Sequence, residues 1–208
     1  MKKIITLIVF VFAIQVSAQT QYEKGMNKAF ELWGANKTKE ASQLFERIAN
    51  AEKENWLPPY YAATIEILEA FQIKEEAKLI AKLNKAQEFL DMASSLSPNN
   101  PEILIRQALL NVAYMAFDGQ KYGMTMSMKN ASLYKKAFEL APENPRVILS
   151  KAESDMGAAR FFGQSTKPFC KNIQKAIDLG NKEEISIKFY PRFDVTRAEK
   201  VLEQCEGK

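Results

Sequence analysis

The chain has 208 residues, carries 29 lysines and arginines against 25 aspartates and glutamates, and contains no histidine. Without imidazole it has no Ser-His-Asp or Cys-His catalysis and no histidine-ligated zinc, and its charge balance lacks the strong basic excess of a nucleic-acid protein. Its length suffices for one domain or one repeat array with a sizeable core.

Lys2 and Lys3, an apolar run from Ile4 to Val16 broken by Thr6 and Gln15, and the small-residue sequence Val16-Ser17-Ala18 have the layout of an export signal over residues 1–18. The run, about 13 residues, is short of the ~20 that a spanning helix needs. Lipid attachment needs a cysteine at the cleavage point, and the first cysteine is Cys170. The expected mature chain, 19–208, begins at Gln19, is periplasmic or secreted without membrane insertion, and has 27 basic and 25 acidic residues.

Beyond that point apolar residues recur at helical spacing, as in Leu83, Ala86, Leu90, Ala93 and Leu96, then Ile105, Leu109, Val112 and Ala113. The periodicity predicts helices over 22–34 and 38–53, 58–72 and 75–96, 101–117 and 125–140, 145–162 and 167–179, and 195–206. "ISIKFYP" at 185–191 is too short and too Pro-ended for a strand, so the expected class is all-α. Two turns match each other 44 residues apart: Pro98, Asn100 and Pro101 in "SLSPNNPEI", and Pro142, Asn144 and Pro145 in "ELAPENPRV". The first proline of each stops a helix, the asparagine caps the next, and the second proline fits its first turn. Flanking positions also match, with Ala93 against Ala137, Leu96 against Leu140, Leu104 against Ile148 and Ala108 against Ala152. The last helix has Thr196 and Glu199 at capping-box spacing.

These features resemble the tetratricopeptide repeat (TPR), a helix-turn-helix unit of 34 residues with small residues at fixed places and a closing proline. Ala29, Ala41 and Phe45 match it in the first copy, Ala86, Leu90, Ala93 and Pro98 in the second, and Ala108, Tyr134, Ala137 and Pro142 in the third. The chain is also similar to secreted bacterial TPR-like proteins. The resemblance implies a right-handed superhelical array of about four antiparallel helix pairs, with repeats near 22–55, 56–98, 99–142 and 143–180 and a C-terminal cap over 185–208. The longer period is expected to place about ten extra residues between the helices of the middle copies, in "QIKEEAKLIA" and "FDGQKYGMTM". In the family the first helix of each pair lines an inner surface that holds peptides, which here implies Ile105, Leu109, Val112, Leu149, Glu153 and Met156.

Several clusters are candidates for chemistry. Met124, Met126 and Met128 offer thioethers for Cu(I), although their helical spacing suits gap-filling in a core. Arg160, Phe161 and Phe162, with Phe169, Phe189, Tyr190, Arg192 and Phe193, either frame a partner site or seal the last repeat against the terminal helix. Trp56, Tyr60 and Tyr61 either fill the join between the first two repeats or contact a partner. Carboxylate pairs such as Glu66/Glu69 and Glu75/Glu76 read as solvated helix faces, and "GQKYG" lacks the context of a phosphate loop. Cys170 and Cys205 form one disulfide in an oxidising compartment or remain two thiols. The sequence therefore points to an exported, non-catalytic scaffold or adaptor of the bacterial cell envelope, without a cofactor, that binds a protein or peptide. The alternative is a periplasmic small-ligand or Cu(I) binder using the Met or Phe/Arg clusters.

Overall fold

The computed structural model describes residues 21–207, and the expected export signal lies outside them. Within that range the chain is helical, with no strand. Helix α1 covers 21–34, followed by α2 (Thr38–Ala51), α3 (Leu57–Ala70), α4 (Glu76–Leu96), α5 (Pro101–Phe117), α6 (Gly119–Leu140) and α7 (Pro145–Phe161). A short 3-10 turn, Lys167–Phe169, leads into α8 (Cys170–Gly180), and α9 (Val195–Glu206) ends the fold.

The repeated turns work as their chemistry requires. Asn100 accepts a hydrogen bond from the Glu102 amide at 2.9 Å, and Asn144 accepts from the Arg146 amide at 2.9 Å. Pro101 and Pro145 stand in the first helical turn, where no amide partner is lost. Asn99 supplies the left-handed corner at φ 59°, a conformation asparagine tolerates well.

Side-chain contacts fix the helix directions. Ser42 meets Glu66 and Thr38 meets Glu69 across α2 and α3, while Lys85 meets Glu66 and Lys82 meets Glu69 across α3 and α4. Asn111 meets Asn130 and Met115 meets Ser127 across α5 and α6. In each pair one number rises as the other falls, so successive helices are antiparallel. Ala93, Ala108 and Ala137 are fully buried, and their small side chains let the backbones approach. The core is continuous from Met26 and Phe45 through Tyr60, Ile65 and Leu83 to Leu110 and Ala113. A second cluster joins α7, α8 and α9 around Met156, Ile173 and Ala198.

Several expectations need correction. The extra residues of the middle copies lengthen the second helices: α4 has 21 residues and α6 has 22, against 14 in α2. In "FDGQKYGMTM" only Asp118 lies between α5 and α6, where it caps α6 by accepting from the Lys121 amide at 2.9 Å. The last helix is capped by Asp194, which accepts from the Arg197 amide, rather than by Thr196 with Glu199. Ile105, Leu149 and Met156 are core residues, not surface. Glu66 is buried, not solvated, and its carboxylate is bound by Ser42, Lys82 and Lys85.

Candidate functional site

Between α8 and α9 the segment 181–194 has no regular structure and returns across the molecule to its first helices. The ring of Phe189 lies 5.9 Å from Phe30 in a stacked arrangement and 5.7 Å edge-on to Tyr22. Its carbonyl accepts a hydrogen bond from the Tyr61 hydroxyl at 2.6 Å. Tyr190 meets Trp56 edge-on at 5.8 Å, and Lys188 pairs with Glu23 at 2.6 Å. Phe189 has φ 62°, a left-handed conformation that costs a non-glycine residue about 1–2 kcal/mol, and its ring contacts hold it there. This segment is a strap that runs over α1, from Tyr22 to Phe30, and over the N-terminal turns of α3.

Beneath the strap lies a charged network. Glu102 and Arg146 hold the same place in consecutive turns, two residues after the capping asparagine, and stacking α7 on α5 brings them together. The fully buried Glu102 accepts from Arg146 Nε at 2.8 Å and from Asn144 at 2.7 Å. The other Arg146 nitrogens form a two-pronged pair with Glu183 on the strap, at 2.6 and 2.7 Å, and the guanidinium stands 5.5 Å from the centre of the Tyr190 ring. Burial disfavours the charge on Arg146, but its bonds to Glu183 and Glu102 outweigh that and raise its pKa. Burial, reinforced by the negative charge of Glu102, pushes Tyr190 up to about 12. Tyr60 is buried too. It accepts from Arg106 at 2.6 Å, and burial raises its pKa against the pull of that guanidinium.

A separate groove of about 730 Å³ opens between α4, α5 and α6. Each helix contributes a stripe at helical spacing: Ile80, Leu83, Asn84 and Gln87 from α4; Gln107, Leu110, Asn111 and Tyr114 from α5; Tyr122, Met126, Lys129 and Leu133 from α6. Gln87 and Gln107 bond each other reciprocally at 2.8 and 2.7 Å. Asn130 bonds both Asn111 and the Ala108 carbonyl, so buried amides are satisfied below the apolar wall. The rings of Tyr114 and Tyr122 stand 5.1 Å apart at one end. There Glu76 is held below the usual carboxylate range by hydrogen bonds from Lys121 and Tyr122, and the same contact raises Tyr122. Lys129 adds a cation to the lining.

The residues singled out in the sequence divide among these features. Trp56, Tyr60 and Tyr61 sit under the strap, with Tyr60 and Tyr61 buried, and so face this chain's own segment. Phe169 and Phe193 pack into the C-terminal cluster, while Phe189 leaves for the N-terminal one. Phe161 and Phe162 do not seal the last repeat: they are 73% and 70% exposed, beside an exposed Arg160. Met124 and Met128 are not core residues either, at 82% and 69% exposure, whereas Met126 lines the groove. Cys170 and Cys205 stand at disulfide distance, with Cα atoms 5.6 Å apart. The groove tyrosines, Tyr114 and Tyr122, were missed in the sequence. Their signal was the three stripes, which become a site only once α6 is known to begin at Gly119.

Fold and groove together show, among the described residues, an all-α chain with an open groove between α4, α5 and α6, a smaller one of about 460 Å³ beside Arg146 and Glu183, and a strap across its first helices. Among solved structures the chain is similar to the HusA haemophore from Porphyromonas gingivalis, with a TM-score of 0.75 and 23% identity over 89% of this chain and 93% of that chain. At that identity the likeness shows a shared fold. No family model matches the chain, and neither does any curated protein.

Proposed function

We propose that the chain is an exported, non-catalytic, TPR-like binding protein, with residues 19–208 as its mature domain, and that its ligand is a planar apolar molecule of the porphyrin class. The observation that carries this reading is the α4/α5/α6 groove. Its volume of about 730 Å³ falls within the roughly 300–1,000 Å³ of small-molecule sites. Its wall of Ile80, Met126 and Leu133, above the buried Leu83 and Leu110, suits the face of a macrocycle, with Tyr114 and Tyr122 to pack its edge and Lys129 to meet a carboxylate. The fold shared with a haemophore supports that ligand class. Binding through the face of the ring also suits a chain without histidine. In a TPR-like array a peptide would lie along the first helices of the pairs, and the strap already covers the turns carrying Trp56, Tyr60 and Tyr61.

Titrating the mature protein with haemin and with metal-free protoporphyrin tests this. Both should bind saturably, at one per chain, with a shifted Soret band and quenched protein fluorescence. Met126→Asp should weaken both by about tenfold or more, since a carboxylate in the apolar wall loses on the order of 1–3 kcal/mol of desolvation. Absence of saturable binding by either porphyrin overturns the reading.

A further inference from the structure

Helix α6 is apolar on its inner side and again on its outer one. Tyr122, Met126 and Leu133 line the groove, and Tyr134 and Ala137 are buried in the core. On the far side of the helix Met124, Met128, Ala131, Lys135 and Phe138 follow at spacings of four, three, four and three residues, and all five are exposed. The end of α7 extends this face. A Cβ at Gly119 would stand 3.9 Å from the Phe161 ring, so Phe161 lies beside the first turn of α6, and Phe162 packs edge-on against it at 5.2 Å. None of these side chains lines either groove. They stand out from the surface, and the charge among them is of one sign. Residues 119–138 hold Lys121, Lys129, Lys135 and Lys136 and no acidic residue, in a mature chain of 27 basic and 25 acidic residues. Lys121 reaches Glu76 of α4, and Lys135 stands 4.0 Å from Glu139. Lys129, Lys136 and Arg160, the neighbour of the two phenylalanines, form no ion pair among the described residues. The acids on the last turns of α7 are already engaged, Glu153 by Arg197 and Asp155 by Lys151.

We infer that the outer face of α6, with Phe161 and Phe162 at its end, docks the protein peripherally on a membrane surface rich in anionic lipid headgroups. A basic amphipathic helix lies in the plane of such an interface, with its apolar side chains among the acyl chains and its lysines at the phosphates. Side chains that stand out singly need no matching pocket in lipid, whereas a protein partner would have to supply one for each. The unpaired cations set the sign of the headgroup. No helix among the described residues is long and apolar enough to cross a membrane, so the contact is with one leaflet. The groove stripe of α6 lies on the opposite side of the helix, so docking leaves the groove open. The inference does not rest on the porphyrin reading.

The probes are vesicles of phosphatidylcholine alone and of phosphatidylcholine with about one-third phosphatidylglycerol, mixed with the mature protein and sedimented. The protein should bind the anionic vesicles about tenfold or more tighter than the neutral ones, and should leave them as salt is raised. Phe161→Ala/Phe162→Ala and, independently, Met124→Gln/Met128→Gln should each weaken that binding about tenfold. Lys136→Glu/Arg160→Glu should abolish it. Lys39→Glu/Lys53→Glu, the same change of charge on α2 and the turn after it, should bind as the parent does. All these side chains are exposed, so the variants should keep the parent's circular dichroism. A parent that ignores anionic vesicles, or binds neutral ones equally well, overturns the inference. Equal loss in the two charge-reversal variants overturns it too, because net charge alone would then account for binding. Parental binding in both apolar variants does the same, since the face would then be an electrostatic contact of the kind an acidic protein makes. So does a parent that is dimeric by light scattering and becomes monomeric in Phe161→Ala/Phe162→Ala, because a second copy would then cover the face.

Discussion

Glu102 and Arg146 show how position in a repeat becomes contact. Each follows a capping asparagine and a proline, one as Asn-Pro-Glu and the other as Asn-Pro-Arg, so stacking the copies sets opposite charges side by side. The match was legible in the 44-residue period. The third partner was not, because Glu183 lies beyond the last copy and arrives on a segment without periodicity. A buried carboxylate deprived of its only guanidinium is costly, and Arg146→Leu should destabilise the fold by about 3–5 kcal/mol in urea denaturation. Exchanging both members for apolar residues, Glu102→Met with Arg146→Leu, should recover much of that loss. If the single and double variants lose the same stability, the pair does not hold the strap and the array together.

Among the elements, the helices were readable and their lengths less so. Proline and asparagine mark the starts of α5 and α7 by chemistry that needs no partner, whereas α6 starts at a glycine behind Asp118, where two glycines and no proline suggest a loop. Packing against α5 decides the matter, since an element with an apolar stripe gains more from burial than its glycines lose in propensity. The C-terminal helix poses a different problem. Only Ala198 and Cys205 are buried in α9, so little apolar surface holds it. Cys170 and Cys205 close a loop with a sequence separation of 35 residues, worth about 3–4 kcal/mol by the chain-entropy estimate. Cys170→Ser with Cys205→Ser should therefore loosen α9 first. By hydrogen exchange, residues 195–206 should lose protection while α2 and α3 keep theirs. Uniform loss along the chain would show that α9 is integral to the array instead of fastened to it.

At the scale of the whole molecule, the strap changes what kind of object this is. Stability in a linear array is a sum over neighbours, and its ends can melt separately. Here Lys188, Phe189 and Tyr190 carry the C-terminal side back to α1 and α3, and Glu183 ties the same segment to Arg146 of α7. Unfolding in urea followed by the fluorescence of Trp33 and Trp56, both in the first half, should coincide with unfolding followed by far-UV ellipticity. In Phe189→Ala the two transitions should separate, and coincidence there would mean that helix stacking alone makes the fold cooperative. An open array behaves as a soft spring that stretches or wraps around a large partner. With its last loop tied to its first helix, this molecule cannot uncoil while the tie holds, and it presents itself to its surroundings as a rigid body.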